Sequence, residues 1–105
     1  MSKYSVKELW NELYGTREEV YDYVGRLMLK AACGNPYSAY QPTIDHIRPI
    51  ANGGKDVKQN IIICHYLTNE EKEDNFPHWR CNGVRCRAKK TKNVLNGYTI
   101  IKERN

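Results

Sequence analysis

No apolar run in the sequence approaches the roughly 18 residues at which a bilayer-spanning helix becomes possible, so no transmembrane helix is expected. Mean hydropathy is low, at −0.78. The opening stretch MSKYSVKELW contains no apolar h-region, so no secretory signal is expected. Cysteine is sparse: Cys33, Cys64, Cys81 and Cys86, with no Cys-x-x-Cys pair. In a chain without a leader, that usage points to a reducing, cytoplasmic setting and to free thiols or a metal site, not to a disulfide framework. There is no internal repeat and no low-complexity stretch. Acidic residues run out late in the chain, where Glu103 alone follows Phe76.

The 105 residues suit one small domain, taken here as a single unit over 1–105, with a modest core. Formal net charge is +5. The excess lies in Arg80, Arg85, Arg87, Lys89, Lys90, Lys92, Lys102 and Arg104, while the chain before Phe76 is slightly acidic. Such a block suits either a polyanionic partner or a solvated face.

Ser5-Val6-Lys7-Glu8 has the form of a capping box, and Val6, Leu9, Trp10 and Leu13 follow at helical spacing until Gly15. A second start signal at Thr16–Glu19, with Val20, Tyr23, Val24, Leu27 and Met28 as its stripe, predicts a longer helix to about Ala32. Strands are predicted over Thr43–Ile47 and Ile61–Cys64, the second buried on both faces. The segment between them is polar and carries Gly53-Gly54. Thr68-x-x-Glu71 predicts a helix over Asn69–Asp74. Asn82-Gly83 predicts a hairpin that pairs Cys81 with Val84, Arg80 with Arg85 and Trp79 with Cys86. Alternation then gives one apolar face and one face of Arg80, Arg85 and Arg87. Asn96-Gly97 precedes a last strand over Tyr98–Lys102.

The central stretch therefore reads strand, loop, strand, helix, with a polar side chain at each junction: Asp45-His46, Asn60 and Asn69. These residue types suit phosphodiester hydrolysis. Histidine is the side chain best placed to act as a base near neutral pH. Mg²⁺ takes oxygen ligands and often only one or two from protein. Asp45 and Asn69 offer two such oxygens. Neighbouring strand residues point to opposite faces, so bringing Asp45 and His46 to one site requires a bend, which Pro49 and its loop make available. Taken singly, Asn60 also reads as a turn cap and His46 as a buried, hydrogen-bonded core histidine.

The pattern Asp45-His46-Ile47-x-Pro49, Gly53-Gly54, Asn60, Asn69-x-x-Lys72 resembles the HNH (ββα-metal) endonucleases of the Asp-His…Asn…Asn type. The resemblance implies a central ββα-metal motif; with the elements predicted on either side, the chain is expected to be an α+β domain with two N-terminal helices, that motif and a C-terminal β-hairpin. It implies His46 as general base, Asp45 and Asn69 as ligands of a single Mg²⁺ (Mn²⁺ or Ni²⁺ substituting), and Asn60 as the support that organises the loop and orients the base. Lys72, one helical turn from Asn69, stands where the family often has lysine, as a phosphate contact or a solvated side chain. Arg80, Arg85, Arg87, Lys89, Lys90 and Lys92 become candidate backbone contacts to DNA, double-stranded by family habit. The family's structural Zn²⁺ is not expected, because its Cys-x-x-Cys pairs are missing. A monomer or homodimer is expected, encoded by a bacterium or phage. Two other classes remain: a catalytically silent nucleic-acid binder and a protein-interaction module on the same scaffold, the latter using Trp10, Tyr14, Tyr21 and Tyr23 as its surface.

Overall fold

The computed structural model describes residues 2–103, so Arg104 lies outside the described residues. Helix α1 spans Val6–Tyr14. The Ser5 Oγ accepts the Glu8 backbone N–H at 3.3 Å, a cap that contributes about 1 kcal/mol. Gly15, at φ +62, ends the helix in a backbone conformation that favours glycine. Leu9 and Trp10 are buried. The Trp10 indole donates to the Arg17 carbonyl at 2.9 Å, which fixes the turn leaving the helix.

The second predicted helix is a β-hairpin instead: β1 Glu19–Tyr21 and β2 Leu27–Leu29. Its turn is nucleated by Asp22, whose Oδ1 accepts the backbone N–H groups of Val24 and Arg26. Gly25 takes φ +85. Val20 and Met28 are direct cross-strand partners and both are buried. Residues eight apart share a face on a helix and also across this short hairpin, so the apolar stripe fits both. The Asp-x-x-Gly turn decides between them, because aspartate side chains hydrogen-bond their own backbone and glycine accepts positive φ.

Strand β3 (Pro42–His46) pairs antiparallel with β4 (Ile61–His65), His46 opposite Ile61 and Asp45 opposite Ile62. This ribbon lies between two apolar clusters. Ile44, Ile61 and Ile63 pack with Leu9, Trp10, Val20 and Met28. Ile62 and Ile47 pack with Val24, Trp79, Cys81 and Cys86. The isoleucine run thus serves both faces, as a strand period of two requires.

Helix α2 runs Tyr66–Lys72, three residues earlier than predicted, and is capped by His65, whose Nδ1 accepts the Leu67 N–H at 3.1 Å. The apparent cap Thr68 is buried inside the helix, its hydroxyl donating to Asp22 Oδ2 at 2.6 Å. Glu71, the other half of the expected box, bonds Arg26 and the Asn82 backbone. Strands β5 (His78–Cys81), β6 (Val84–Lys90) and β7 (Tyr98–Glu103) form a second antiparallel sheet in that order. The Asn82-Gly83 hairpin has the predicted register, and β7 extends it to three strands. Trp79, Cys81 and Cys86 face inward, while Arg80 and Arg85 are exposed.

Candidate active site

Strand β3 pairs with β4 alone; among the described residues no third strand joins its other edge, where α2 side chains take the Ile44 and His46 carbonyls. A cleft of about 510 Å³ runs along that edge. All five residues of the strand, Pro42 to His46, line it, together with Asn69 from α2, Ser2 and Tyr4 from the N-terminal arm and Val6 at the start of α1. Asp45, His46 and Asn69 therefore meet at one place. The bend comes at Ile47–Arg48, one residue after the pair. Asp45 and His46 remain in the ladder, and both line the cleft.

Asp45 is buried. Its Oδ2 is sealed from solvent and has no hydrogen-bond partner. The closest cation is the Lys72 ammonium, 3.4 Å from Oδ2. Burial pushes the Asp45 carboxyl above its ordinary range, against the pull of Lys72 and His46. Asn69 donates its Nδ2 to Thr43 Oγ1 at 3.1 Å and to the Ile44 carbonyl at 3.2 Å. Both donors of the amide are thereby spent on β3, and Oδ1 is the atom left to accept.

Lys72 occupies a different place from the one expected of a phosphate contact. Its side chain is 0% exposed. Its ammonium donates to the His46 carbonyl at 3.2 Å and lies 4.9 Å from the centre of the Trp79 ring. A wholly buried ammonium under Asp45 does not meet solvent or substrate phosphate, so Lys72 leaves the set of candidate DNA contacts. His65 is likewise committed, its Nε2 bonding the Ala39 carbonyl at 2.7 Å and its Nδ1 capping α2.

Asn60 is buried and binds the loop from three directions. Its Oδ1 accepts the Arg48 N–H, and its Nδ2 donates to the Arg48 and Lys55 carbonyls. Its own carbonyl accepts the Ile47 N–H at 2.9 Å. The loop closes tightly at Gly54, where a Cβ would lie 1.7 Å from the Arg48 carbonyl oxygen. Asn60 thus ties down the chain immediately after His46.

Asp56 belongs to this site without a signal in the sequence, and Asp22 supports α2 from the N-terminal hairpin. Asp56 meets His46, Oδ1 to Nε2, at 2.7 Å. Its carboxyl is held well below the usual carboxylate range, first by the Lys3 backbone N–H, then by the Ser2 hydroxyl and His46. Asp22 joins the N-terminal hairpin to the start of α2: besides its own turn it accepts the His65 N–H and the Thr68 hydroxyl.

Residues 31–75 match the HNH endonuclease family model. The matched segment holds Asp45, His46, Asp56, Asn60, Asn69 and Lys72, and leaves out α1, the N-terminal hairpin and the C-terminal sheet. No curated protein and no solved structure matches the chain. Among the described residues, no group of three or more His, Cys, Asp or Glu side chains forms a ready-made cage for a metal. The donor set of the matched segment is leaner, one carboxylate and one amide. It fits a hard cation all the same, because Asp45 Oδ2 is buried and accepts no hydrogen bond, and Asn69 Oδ1 is unengaged among the described residues. No helix among the described residues is long and apolar enough to cross a membrane.

The cations expected to meet DNA lie on the C-terminal sheet or just beyond it. Arg80, Arg85, Lys89, Lys90 and Lys92 are exposed and Arg87 is half-buried. Arg80, Arg85, Arg87 and Lys89 share the outer face by alternation, with Lys90 on the opposite side at the strand end and Lys92 beyond it.

Proposed function

We propose that this protein is a metal-dependent endonuclease that hydrolyses DNA phosphodiester bonds. The observation that supports this most is the convergence of Asp45, His46 and Asn69 on one cleft, with a buried carboxylate oxygen that accepts no hydrogen bond. His46 takes a proton from the attacking water. Asp45 and Asn69 are the residues that would hold a divalent ion, Mg²⁺ by the oxygen character of the pair. Such an ion supplies charge stabilisation at the phosphate and the departing 3′ oxygen, leaving a 5′-phosphate end. Asn60 keeps the loop closed and so keeps His46 facing the cleft. Arg80, Arg85, Arg87, Lys89, Lys90 and Lys92 contact the DNA backbone, which gives affinity and salt dependence with little sequence readout.

One observation favours the silent DNA binder. Lys72 already stands beside Asp45 as a built-in cation, as in a fold that needs no metal there. Supercoiled plasmid incubated with the protein in Mg²⁺ or EDTA, beside His46→Ala, separates the two. Metal-dependent nicking that falls about 10²- to 10⁴-fold in the mutant is expected of the nuclease. Intact plasmid in Mg²⁺, Mn²⁺ and Ni²⁺ alike, with DNA still bound, overturns it.

A further inference from the structure

Asp56 stands in the polar loop between β3 and β4, and the inference drawn from it rests on the nuclease reading above. Three donors converge on its carboxylate. The Ser2 hydroxyl reaches Oδ1 at 2.7 Å, the Lys3 backbone N–H reaches Oδ2 at 2.8 Å, and His46 Nε2 lies 2.7 Å from Oδ1. An ionised carboxylate only accepts, so the bond to His46 requires the proton to sit on Nε2. A neutral imidazole carries one such proton, which leaves Nδ1 bare. Among the described residues no hydrogen bond engages His46 Nδ1.

We propose that Asp56 is a positioning residue: it holds His46 as the Nε2–H tautomer, so that Nδ1 takes the proton from water, and the arm Ser2–Lys3 holds Asp56 in place for that task. The proton moves from water to the Nδ1 lone pair. The imidazolium that results keeps its Nε2–H bond to Asp56, which stays ionised throughout. Two further features fit this role. Ser2 lines the same cleft as His46, so the arm forms part of the cleft wall. The carboxylate is only partly covered, its side chain 23% exposed, so its loss removes a hydrogen-bond partner without opening the core.

The test uses the full chain, ¹⁵N-labelled, with the His46 ring nitrogens read by long-range ¹H–¹⁵N correlation in alkaline buffer with EDTA. The wild type is expected to show a protonated Nε2 and a bare Nδ1, and Asp56→Ala a mixture of tautomers. Asp56→Asn, which keeps an acceptor oxygen, is expected to restore the wild-type pattern at least in part. In plasmid nicking, Asp56→Ala is expected to lower kcat about 100-fold with KM changed by no more than about twofold, and Asp56→Asn to recover part of the loss. Ser2→Ala is expected to move both readouts the same way by less. An unchanged nitrogen pattern in Asp56→Ala overturns the proposal, as does an unchanged kcat in an enzyme that nicks. If the wild type does not nick at all, the nuclease reading falls alone and the nitrogen pattern still decides whether Asp56 sets the tautomer.

Discussion

Replacing Lys72 by methionine isolates what the buried ammonium does. The Asp45–Lys72 separation of 3.4 Å corresponds to about 5 kcal/mol of attraction at an effective dielectric constant of about 20. Burial nevertheless pushes the Asp45 carboxyl upward, so desolvation outweighs that attraction even with Lys72 present. Without the ammonium, a charged Asp45 becomes costlier still, and the carboxyl escapes by taking up a proton. Protonating a carboxyl of ordinary unfolded-state affinity at about pH 7 costs about 4 kcal/mol, which caps the loss. The cap falls by about 1.4 kcal/mol per unit as pH drops toward 5. The sign follows from linkage. A carboxyl whose folded pKa lies above its unfolded value binds more protons when folded, so its stability contribution is full at low pH and is lost as pH rises. Lys72→Met should therefore lose about 3–4 kcal/mol near neutrality and clearly less near pH 5, read by urea unfolding followed by circular dichroism in EDTA. Asp45→Asn combined with Lys72→Met should recover much of the loss, because neither charge remains. A destabilisation under about 1 kcal/mol, or one that does not change with pH, would refute the reasoning.

Four shorter expectations follow from other parts of the molecule. Asn60→Ala strands the Arg48 N–H and two carbonyls in a buried loop and should cost about 2–4 kcal/mol in urea unfolding. Gly54→Ala places a methyl against the Arg48 carbonyl, so the loop must move; stability should fall by more than about 2 kcal/mol, and nicking should fall with it. Asp22→Ala removes an acceptor of four hydrogen bonds that ties the N-terminal hairpin to α2, and its melting temperature should drop by about 10 °C or more. Lys89→Ala with Lys90→Ala and Lys92→Ala should leave folding intact. The slope of log affinity for DNA against log salt should become shallower by about 0.9 for each phosphate no longer neutralised, measured by fluorescence anisotropy.

Local chemistry is legible in the sequence wherever a turn or cap leaves one solution. Asn82-Gly83 specifies the hairpin and its register, and Ser5 with Gly15 marks both ends of α1. The N-terminal hairpin reads as a helix because Val20 and Met28 fit a helix face as well as a cross-strand pair. The start of α2 misleads for a related reason. Thr68 and Glu71 have the side chains of a capping box, but Asp22 and Arg26, more than 40 residues earlier in the chain, claim them. The convergence of Asp45, His46 and Asn69 follows from the end of β3 packing against the middle of α2. Asp56 gives no such signal, because an aspartate in a polar loop has no periodicity, and its partners are Ser2, Lys3 and His46. Lysines on short helices are usually exposed, which is why Lys72 reads as a solvent-facing cation. Only the packing of β5 against α2, with Trp79 beneath the ammonium, shows that it is enclosed.

That packing turns the site into an optical instrument. The indole of Trp79 has a single positive charge 4.9 Å from its ring centre, and that charge is the one facing Asp45. Indole emission shifts with the electric field across the ring, so a cation arriving at Asp45 and displacing the ammonium should change the colour of Trp79 without any label. Trp10, the other indole, belongs to the opposite apolar cluster and is bonded to the Arg17 carbonyl. With Trp10→Phe, the emission of the protein becomes a one-residue readout of charge at the cleft, usable in titrations with each divalent ion in turn and in the absence of any nucleic acid.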